Sequence, residues 1–383
     1  MRAAGWRLDF PCRQDRFNRL GGMLKHLPFE ATQYPMCNGA PARRGIAFPN
    51  DGVGAVCAPA IGVCSSLNQE AMATVESTQR TTRHNFATAD VQQVLGRLGP
   101  WQLVRLICEN NFTRVYQARA DEGPAGDDAE GESAWKPAAY IVKVLRKEWW
   151  RDPQAIEMQR REAWVGSQAS HPNLLPVLSA SVQEPPFYVV TPKVDAVPLS
   201  HIIAERAPLA VPLALWIARQ VAEGLDALFE ATGMIHTDVK PANILVSNAG
   251  HATLIDFGLV QTPAEASRWA TRPLAGTLGY IAPEMVTSAL AAGPRSDIYS
   301  LGVTLYEMLI GRRPWDSDDP AELATLHREA KPADLRAARP DVPEPVAELV
   351  QAMLAKDALR RPGSARELAA RLVRLEIESF ALR

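Results

Sequence analysis

The residues with the clearest chemical content lie between positions 235 and 258. The run Ile235-His236-Thr237-Asp238-Val239-Lys240-Pro241-Ala242-Asn243 sets a carboxylate, an ammonium and a carboxamide close together, and Asp256-Phe257-Gly258 begins thirteen residues past Asn243. Moving a phosphoryl group asks little covalent help of a protein. It asks for positioned charge around a metal-bound phosphate donor and a base beside the attacking hydroxyl. Asp238 can take that hydroxyl's proton. Lys240 can neutralise the group in flight, and Asn243 and Asp256 carry hard oxygens that suit Mg²⁺. Either triplet alone arises by chance; both together, in this order and at this spacing, are very unlike a chance pairing.

Such residues need elements to hold them. Positions 101–107 and 113–118 read as two strands with 108–112 as the turn between them, and 139–145 as a third. Positions 155–169 have helical spacing, and 176–181 and 187–191 read as further strands. Beyond that the chain turns helical, over 211–231, 295–310, 343–354 and 364–375. Strands first and helices second make an α+β arrangement. The acidic, Gly-rich stretch 121–132 reads as a solvated surface insertion. Residues 1–96 hold many Gly, Pro, Asn, Gln and Thr without a sustained period, and read as a poorly structured or flexible N-terminal extension.

Composition narrows the function classes. The chain has 383 residues, 47% hydrophobic and 22% charged, with a formal net charge of −2. That balance gives no support for nucleic-acid or membrane-surface binding. No run approaches the roughly 20 apolar residues of a membrane span, and positions 1–20 lack the apolar centre of a signal peptide. Cys12, Cys37, Cys57, Cys64 and Cys108 form no C-x-x-C pair, so a zinc site is unsupported. Free thiols in a reducing cytoplasm are the expectation.

On these motifs the chain resembles the protein kinase superfamily, and within it the bacterial serine/threonine kinases of eukaryotic type, from about residue 98 to 375. The resemblance implies a two-lobed kinase fold, with a small β-rich N-lobe over about 97–192 and a larger helical C-lobe over about 193–383. It implies ATP and Mg²⁺ as cofactors and proteins as substrates. Position by position, it makes Asp238 the base, Lys240 its cationic neighbour, and Asn243 and Asp256 the metal ligands. Lys143, in Tyr140-Ile141-Val142-Lys143, is similar to the strand lysine that holds the α- and β-phosphates, and Glu162 to the helix glutamate that pairs with it. Val115, Ile141, Val190, Leu245, Cys108 and Asn110 complete the implied nucleotide site. Gly276-Thr277 through Ala282-Pro283-Glu284 is similar to the end of an activation segment; Glu284 is expected to pair with Arg361, and Asp297 to anchor the backbone of the catalytic loop. Lys240 with Thr277 resembles the Ser/Thr branch.

Three departures stand out. The glycine-rich loop of the family reads here Cys108-Glu109-Asn110-Asn111-Phe112-Thr113-Arg114-Val115, with no glycine at all. Glycine lets backbone approach phosphate and adopt positive φ. Asn110 and Asn111 are the residues expected to stand in, since Asn tolerates the left-handed region, and weakened nucleotide binding is expected. Ile141 replaces the small residue that covers the adenine, and Gly166 falls where a large apolar residue packs toward Phe257, a gap for Trp164 or Val165 to fill. Thr237 replaces the arginine that receives an activation-loop phosphate, and Arg268 and Arg272 ride on that loop. Activity largely independent of phosphorylation at Thr262, Ser267 and Thr271 is the consequence.

Two readings of different class follow: a serine/threonine protein kinase, or a catalytically weak or inactive kinase-fold protein that binds or scaffolds. Retention of Lys143, Glu162, Asp238, Asn243 and Asp256 favours the enzyme. A small-molecule phosphotransferase shares the H-x-D logic but not the Ala-Pro-Glu stretch with Asp297.

Overall fold

Asp152 shows how local sequence sets the architecture. Its Oδ1 accepts from the backbone N–H of Gln154 at 2.9 Å and of Ala155 at 2.8 Å, and Pro153 supplies a preset φ at the first helical position. Helix α1 (Pro153–Gln168) starts there. In this computed structural model the described residues are 94–121, 139–265, 278–287 and 292–381. Most of the N-terminal extension, Cys12, Cys37, Cys57 and Cys64, the acidic stretch from position 122, Ser267, Arg268, Thr271, Arg272 and Gly276-Thr277 lie outside them.

Six strands build an antiparallel sheet in the order β1-β2-β3-β4-β6-β5. They are β1 (Gly96–Leu98), β2 (Trp101–Glu109), β3 (Thr113–Ala120), β4 (Tyr140–Leu145), β5 (Ser179–Ser181) and β6 (Tyr188–Pro192). β1 opens at Gly96, one residue inside the segment assigned to the extension. β2 runs on through Glu109, so Cys108 lies in a strand and not in the expected turn. One face of the sheet buries Leu103, Ala118, Val142, Tyr188 and Val190 in a small core of its own.

The helical part holds the main core. Helix α2 (Leu199–Arg206) and the 22-residue α3 (Val211–Thr232) are followed by helices Pro294–Ile310, Pro320–Glu329, Glu344–Met353 and Ala365–Ala381. Helix α2 and helix Pro320–Glu329 have no counterpart among the helices expected from sequence. Helix α3 ends at Gly233, whose φ of 67° is left-handed, and Pro294–Ile310 ends at Gly311 in the same way with φ 86°; such stops suit glycine. A second, three-stranded sheet, β7 (Ala196–Pro198), β8 (Ile244–Ser247) and β9 (Ala252–Leu254), carries the segments that flank Asn243 and Asp256. Ile244 and Val246 of β8 are buried in the helical core, and Leu245, alternating with them, is half-buried and faces the other way. Among the described residues no helix is long and apolar enough to cross a membrane.

Gly166 corrects the sequence reading. A Cβ there would sit 2.3 Å from Val177 Cγ2, so Val177 already occupies the space and no gap exists. Trp164 is 43% exposed and fills nothing, whereas Val165 is buried in the same core as Phe257.

Candidate active site

The loop that carries Asp238 is held from below. Asp297, near the start of helix Pro294–Ile310, accepts from His236 N–H at 2.7 Å and from Thr237 N–H at 2.8 Å. Burial pushes the Asp297 carboxyl up to about 7, against the pull of those two N–H donors. Burial also pushes His236 down, so its ring stays neutral; its Nδ1 accepts from Asp238 N–H at 3.3 Å, and its ring packs edge-on to Phe257 at 5.8 Å. Among the described residues only Thr237 (φ 64°) and Asp256 (φ 69°) are non-glycine residues in the left-handed region. Both sit at the site, where backbone strain collects. Thr237 Oγ1 donates to the Leu259 carbonyl at 2.8 Å. The residue replacing the expected arginine therefore binds the segment after Gly258 directly.

Asp238 is the focus of this arrangement. Its Oδ2 lies 2.8 Å from Lys240 Nζ and accepts from Asn243 Nδ2 at 2.8 Å. Asn243 Nδ2 also donates to the Asp238 carbonyl at 2.9 Å. With its nitrogen committed in this way, the Asn243 carboxamide is left with its oxygen to offer.

On the other side Lys143 Nζ lies 2.9 Å from Glu162 Oε2 and 2.8 Å from Asp256 Oδ1. Burial alone would lower the Lys143 ammonium, but Asp256 and Glu162 outweigh it and hold it above the usual lysine range. Burial raises Glu162 and is only partly offset by Lys143. Asp256, opposed by burial, is held below its usual range by the Lys143 charge. Gln159, one turn before Glu162, donates to the Lys143 carbonyl at 3.0 Å and ties α1 to β4. A cavity of about 100 Å³ opens here, lined by Asn110, Thr113, Lys143, Glu162, Asp256 and Gly258 among others.

The oxygens fit Mg²⁺. Asp256 commits one oxygen to Lys143 while its side chain is 42% exposed, and Asn243 keeps its amide oxygen; both are hard donors.

Strand register sorts the implied nucleotide residues. Cys108 stands opposite Val115, and Val115 opposite Lys143, so these three share one face of the sheet. Ile141 shares that face too, opposite Gln117 and Thr191. Val190 does not. It pairs with Val142, is fully buried and belongs to the sheet's other face. Thr191, one residue on and 8% exposed, is the residue beside Ile141 that the sequence reading passed over.

The glycine-free loop takes a form not expected from sequence. Neither Asn110 nor Asn111 has positive φ. Instead Asn110 Oδ1 accepts from Phe112 N–H at 2.9 Å, Thr113 N–H at 2.7 Å and Thr113 Oγ1 at 3.2 Å. Side chains beyond β4 then fasten the turn from outside. Arg146 donates to the Asn110 carbonyl at 3.0 Å and Trp149 Nε1 to the Asn111 carbonyl at 2.6 Å, while the Phe112 and Trp149 rings pack 4.7 Å apart. Thr113 is buried against Asn110.

The expected Glu284–Arg361 pair forms as a two-pronged buried bridge, with Arg361 Nη1 to Oε1 at 2.7 Å and Nη2 to Oε2 at 2.8 Å.

Comparison with known proteins follows the same lines. The family described as "Protein kinase domain" matches residues 122–373, about two thirds of the chain. That range starts after β3, so the glycine-free loop lies ahead of it. The chain is 28% identical over 272 residues to "Serine/threonine-protein kinase PrkC" of Bacillus subtilis, covering 71% of this chain and 40% of that protein. It is 33% identical over 220 residues to "Probable serine/threonine-protein kinase PknB" of Lactococcus lactis, covering 57% and 35%. It is 32% identical over 268 residues to "Serine/threonine-protein kinase PknA" of Mycobacterium tuberculosis, covering 69% and 58%. The matched part thus spans less than two thirds of the length of each of these relatives.

Proposed function

The chain belongs to the protein kinase family, and we propose that it transfers the γ-phosphate of ATP to serine or threonine hydroxyls of protein substrates. One observation carries this reading: Asp238 is held by Lys240 and Asn243, while Lys143 is held between Glu162 and Asp256. Asp238 accepts the substrate hydroxyl's proton. Lys240, at 2.8 Å from that carboxylate, offsets charge on the phosphoryl group as it moves. Lys143 binds the α- and β-phosphates, and Glu162 keeps its ammonium in place. Asn243 and Asp256 would hold Mg²⁺, which on binding neutralises phosphate charge. Asp297 and His236 keep Asp238 aimed through the loop backbone. The names of the relatives and the residue Lys240 support Ser/Thr over Tyr as acceptor. On this reading the enzyme works in the cytoplasm, where ATP is abundant and a thiol such as Cys108 stays reduced.

The test is transfer of radiolabelled phosphate from Mg-ATP to a general protein substrate by the purified chain. An Asp238→Asn variant serves as control. Transfer by the parent and none by the variant is the expected result. Equal rates in both would show that Asp238 is not the base, and no transfer by either would leave a nucleotide-binding module.

A further inference from the structure

Helix α1 holds Glu162 against Lys143, and something must fix that helix relative to the segment after Gly258. In many proteins a phosphate would supply such an anchor through charge-assisted pairing. Here a different anchor is visible one residue before Glu162. Arg161, with only 10% of its side chain accessible, donates from Nη1 to the Val260 carbonyl at 2.9 Å. Its Nη2 lies 3.1 Å from Glu265 Oε1 and its Nη1 3.4 Å from Glu265 Oε2. Glu157, one turn earlier on α1, lies 3.4 Å from Nη2 on the exposed side.

Glu265 is itself held in place. Its Oε2 accepts from Thr262 N–H at 2.9 Å, and its own N–H donates to Thr262 Oγ1 at 3.2 Å, the reciprocal pair of a capping box. Against burial, the Thr262 N–H and then the Arg161 charge hold the Glu265 carboxyl below its usual range. The same segment is tied at two more points, Thr237 Oγ1 to the Leu259 carbonyl at 2.8 Å and Ile235 N–H to the Gln261 carbonyl at 2.9 Å. Successive helical residues point about 100° apart, so Arg161 faces the segment while Glu162 faces Lys143. Arg161 therefore joins two things on one rigid element: the position of the 259–265 segment and the position of Glu162.

We infer that the Arg161–Glu265 pair is a built-in clamp in which a carboxylate of the chain replaces an activating phosphate, making Arg161 and Glu265 positioning residues for the Lys143–Glu162 pair. The inference rests on the proposed kinase activity for its functional consequence, but the clamp itself can be tested apart from it.

The experiment uses the full chain with Arg161→Gln, Glu265→Gln and the double variant, plus Glu265→Asp as conservative control. Each single change is expected to lower kcat about tenfold while leaving KM for the protein substrate within about twofold, and Glu265→Asp is expected to recover most of the loss. The double variant should be no slower than the slower single, as for two residues acting as one unit. Glu265→Gln with kcat within about twofold of the parent, or a double variant whose loss is the product of the two singles, overturns the clamp. If the parent itself transfers no phosphate, the activity reading fails and amide hydrogen exchange decides the clamp. Faster exchange in Glu265→Gln in both 153–168 and 259–265 supports it, and a change in only one of them, or in neither, overturns it.

Discussion

Asn110 Oδ1 lies 2.7 Å from the backbone nitrogen of Thr113, so the side chain at the centre of the glycine-free loop occupies an N–H group that, on the proposed function, would face phosphate. The Phe112 N–H is occupied in the same way at 2.9 Å. Asn110→Gly releases both donors and permits positive φ. Hydrogen bonds to a charged group contribute about 1.5–3 kcal/mol before ordering costs, and ordering the loop offsets part of that. A KM for ATP several-fold lower is expected, together with a lower melting temperature because the turn loses its internal acceptor. Steady-state kinetics and a thermal melt on the same preparation check both. The triple change at Cys108, Asn110 and Thr113 to Gly should move KM the same way. A raised KM would mean the closed turn is the form that binds nucleotide.

Gly166 and Val177 give a packing prediction. With a new Cβ 2.3 Å from Val177 Cγ2 and 3.2 Å from the Val177 backbone nitrogen, Gly166→Ala overfills the contact between α1 and the chain entering β5. A loss of about 1–3 kcal/mol in unfolding free energy is expected. Adding Val177→Ala removes the colliding methyl, so the double variant should be more stable than the sum of the two singles, with urea unfolding as the measurement.

These two cases show where sequence was sufficient and where it was not. Lys143 and Glu162, nineteen residues apart on a strand and the helix that follows it, were legible as a pair through family resemblance. Asp297 to His236 and Glu284 to Arg361, 61 and 77 residues apart, were legible only through family resemblance. Val190 was assigned to the wrong face because Phe187-Tyr188-Val189-Val190 is an unbroken apolar run, and such a run carries no period to say which residues face the cleft. Asn110 was expected to act through its tolerance of left-handed backbone, but its side chain's habit of accepting from N–H groups two and three residues on is the stronger effect. The Gly166–Val177 contact and the Arg161–Glu265 pair join distant segments by shape and charge alone, and no spacing rule announces them.

His327 gives a pH prediction. It is fully buried, its Nδ1 lies 3.0 Å from the Tyr299 hydroxyl, and burial, with Lys356 and Arg313 nearby, pushes its ring down to about 4. The unfolded ring protonates near the ordinary value of about 6.5. Between those values the unfolded chain binds more protons than the folded one, so the His327 contribution is full above about pH 6.5 and is lost as pH falls toward 4. His327→Gln should be less stable than the parent at pH 7.5, having lost the ring's contact with Trp315 at 5.0 Å. That deficit should narrow by about 2 kcal/mol at pH 5, since the variant has no proton to take up. Urea unfolding at the two pH values measures it, and a deficit unchanged with pH would show that the ring titrates normally in the folded state.

Activity is expected to be largely independent of phosphorylation after Gly258, and the structure changes how that should be tested. Replacing Thr262, Ser267 and Thr271 together by Ala removes every candidate hydroxyl, but Thr262 is also a structural residue. Its Oγ1 caps Glu265 N–H at 3.2 Å and approaches Glu265 Oε2 at 3.1 Å. Losing such a cap costs about 0.5–2 kcal/mol on its own account, so an activity loss in the all-Ala variant would not report on phosphate. Thr262→Asn keeps a capping oxygen and cannot be phosphorylated. Combined with Ser267→Ala and Thr271→Ala, it isolates the modification from the cap. Because Thr237 holds the Leu259 carbonyl and Arg161 already has Glu265 as a partner, the segment from 259 to 265 is anchored before any phosphate arrives. The expected kcat/KM on a model substrate is within about threefold of the parent. A loss beyond about tenfold, roughly 1.4 kcal/mol of transition-state stabilisation, with the melting temperature unchanged, would mean that a phosphate and a basic receptor do act here.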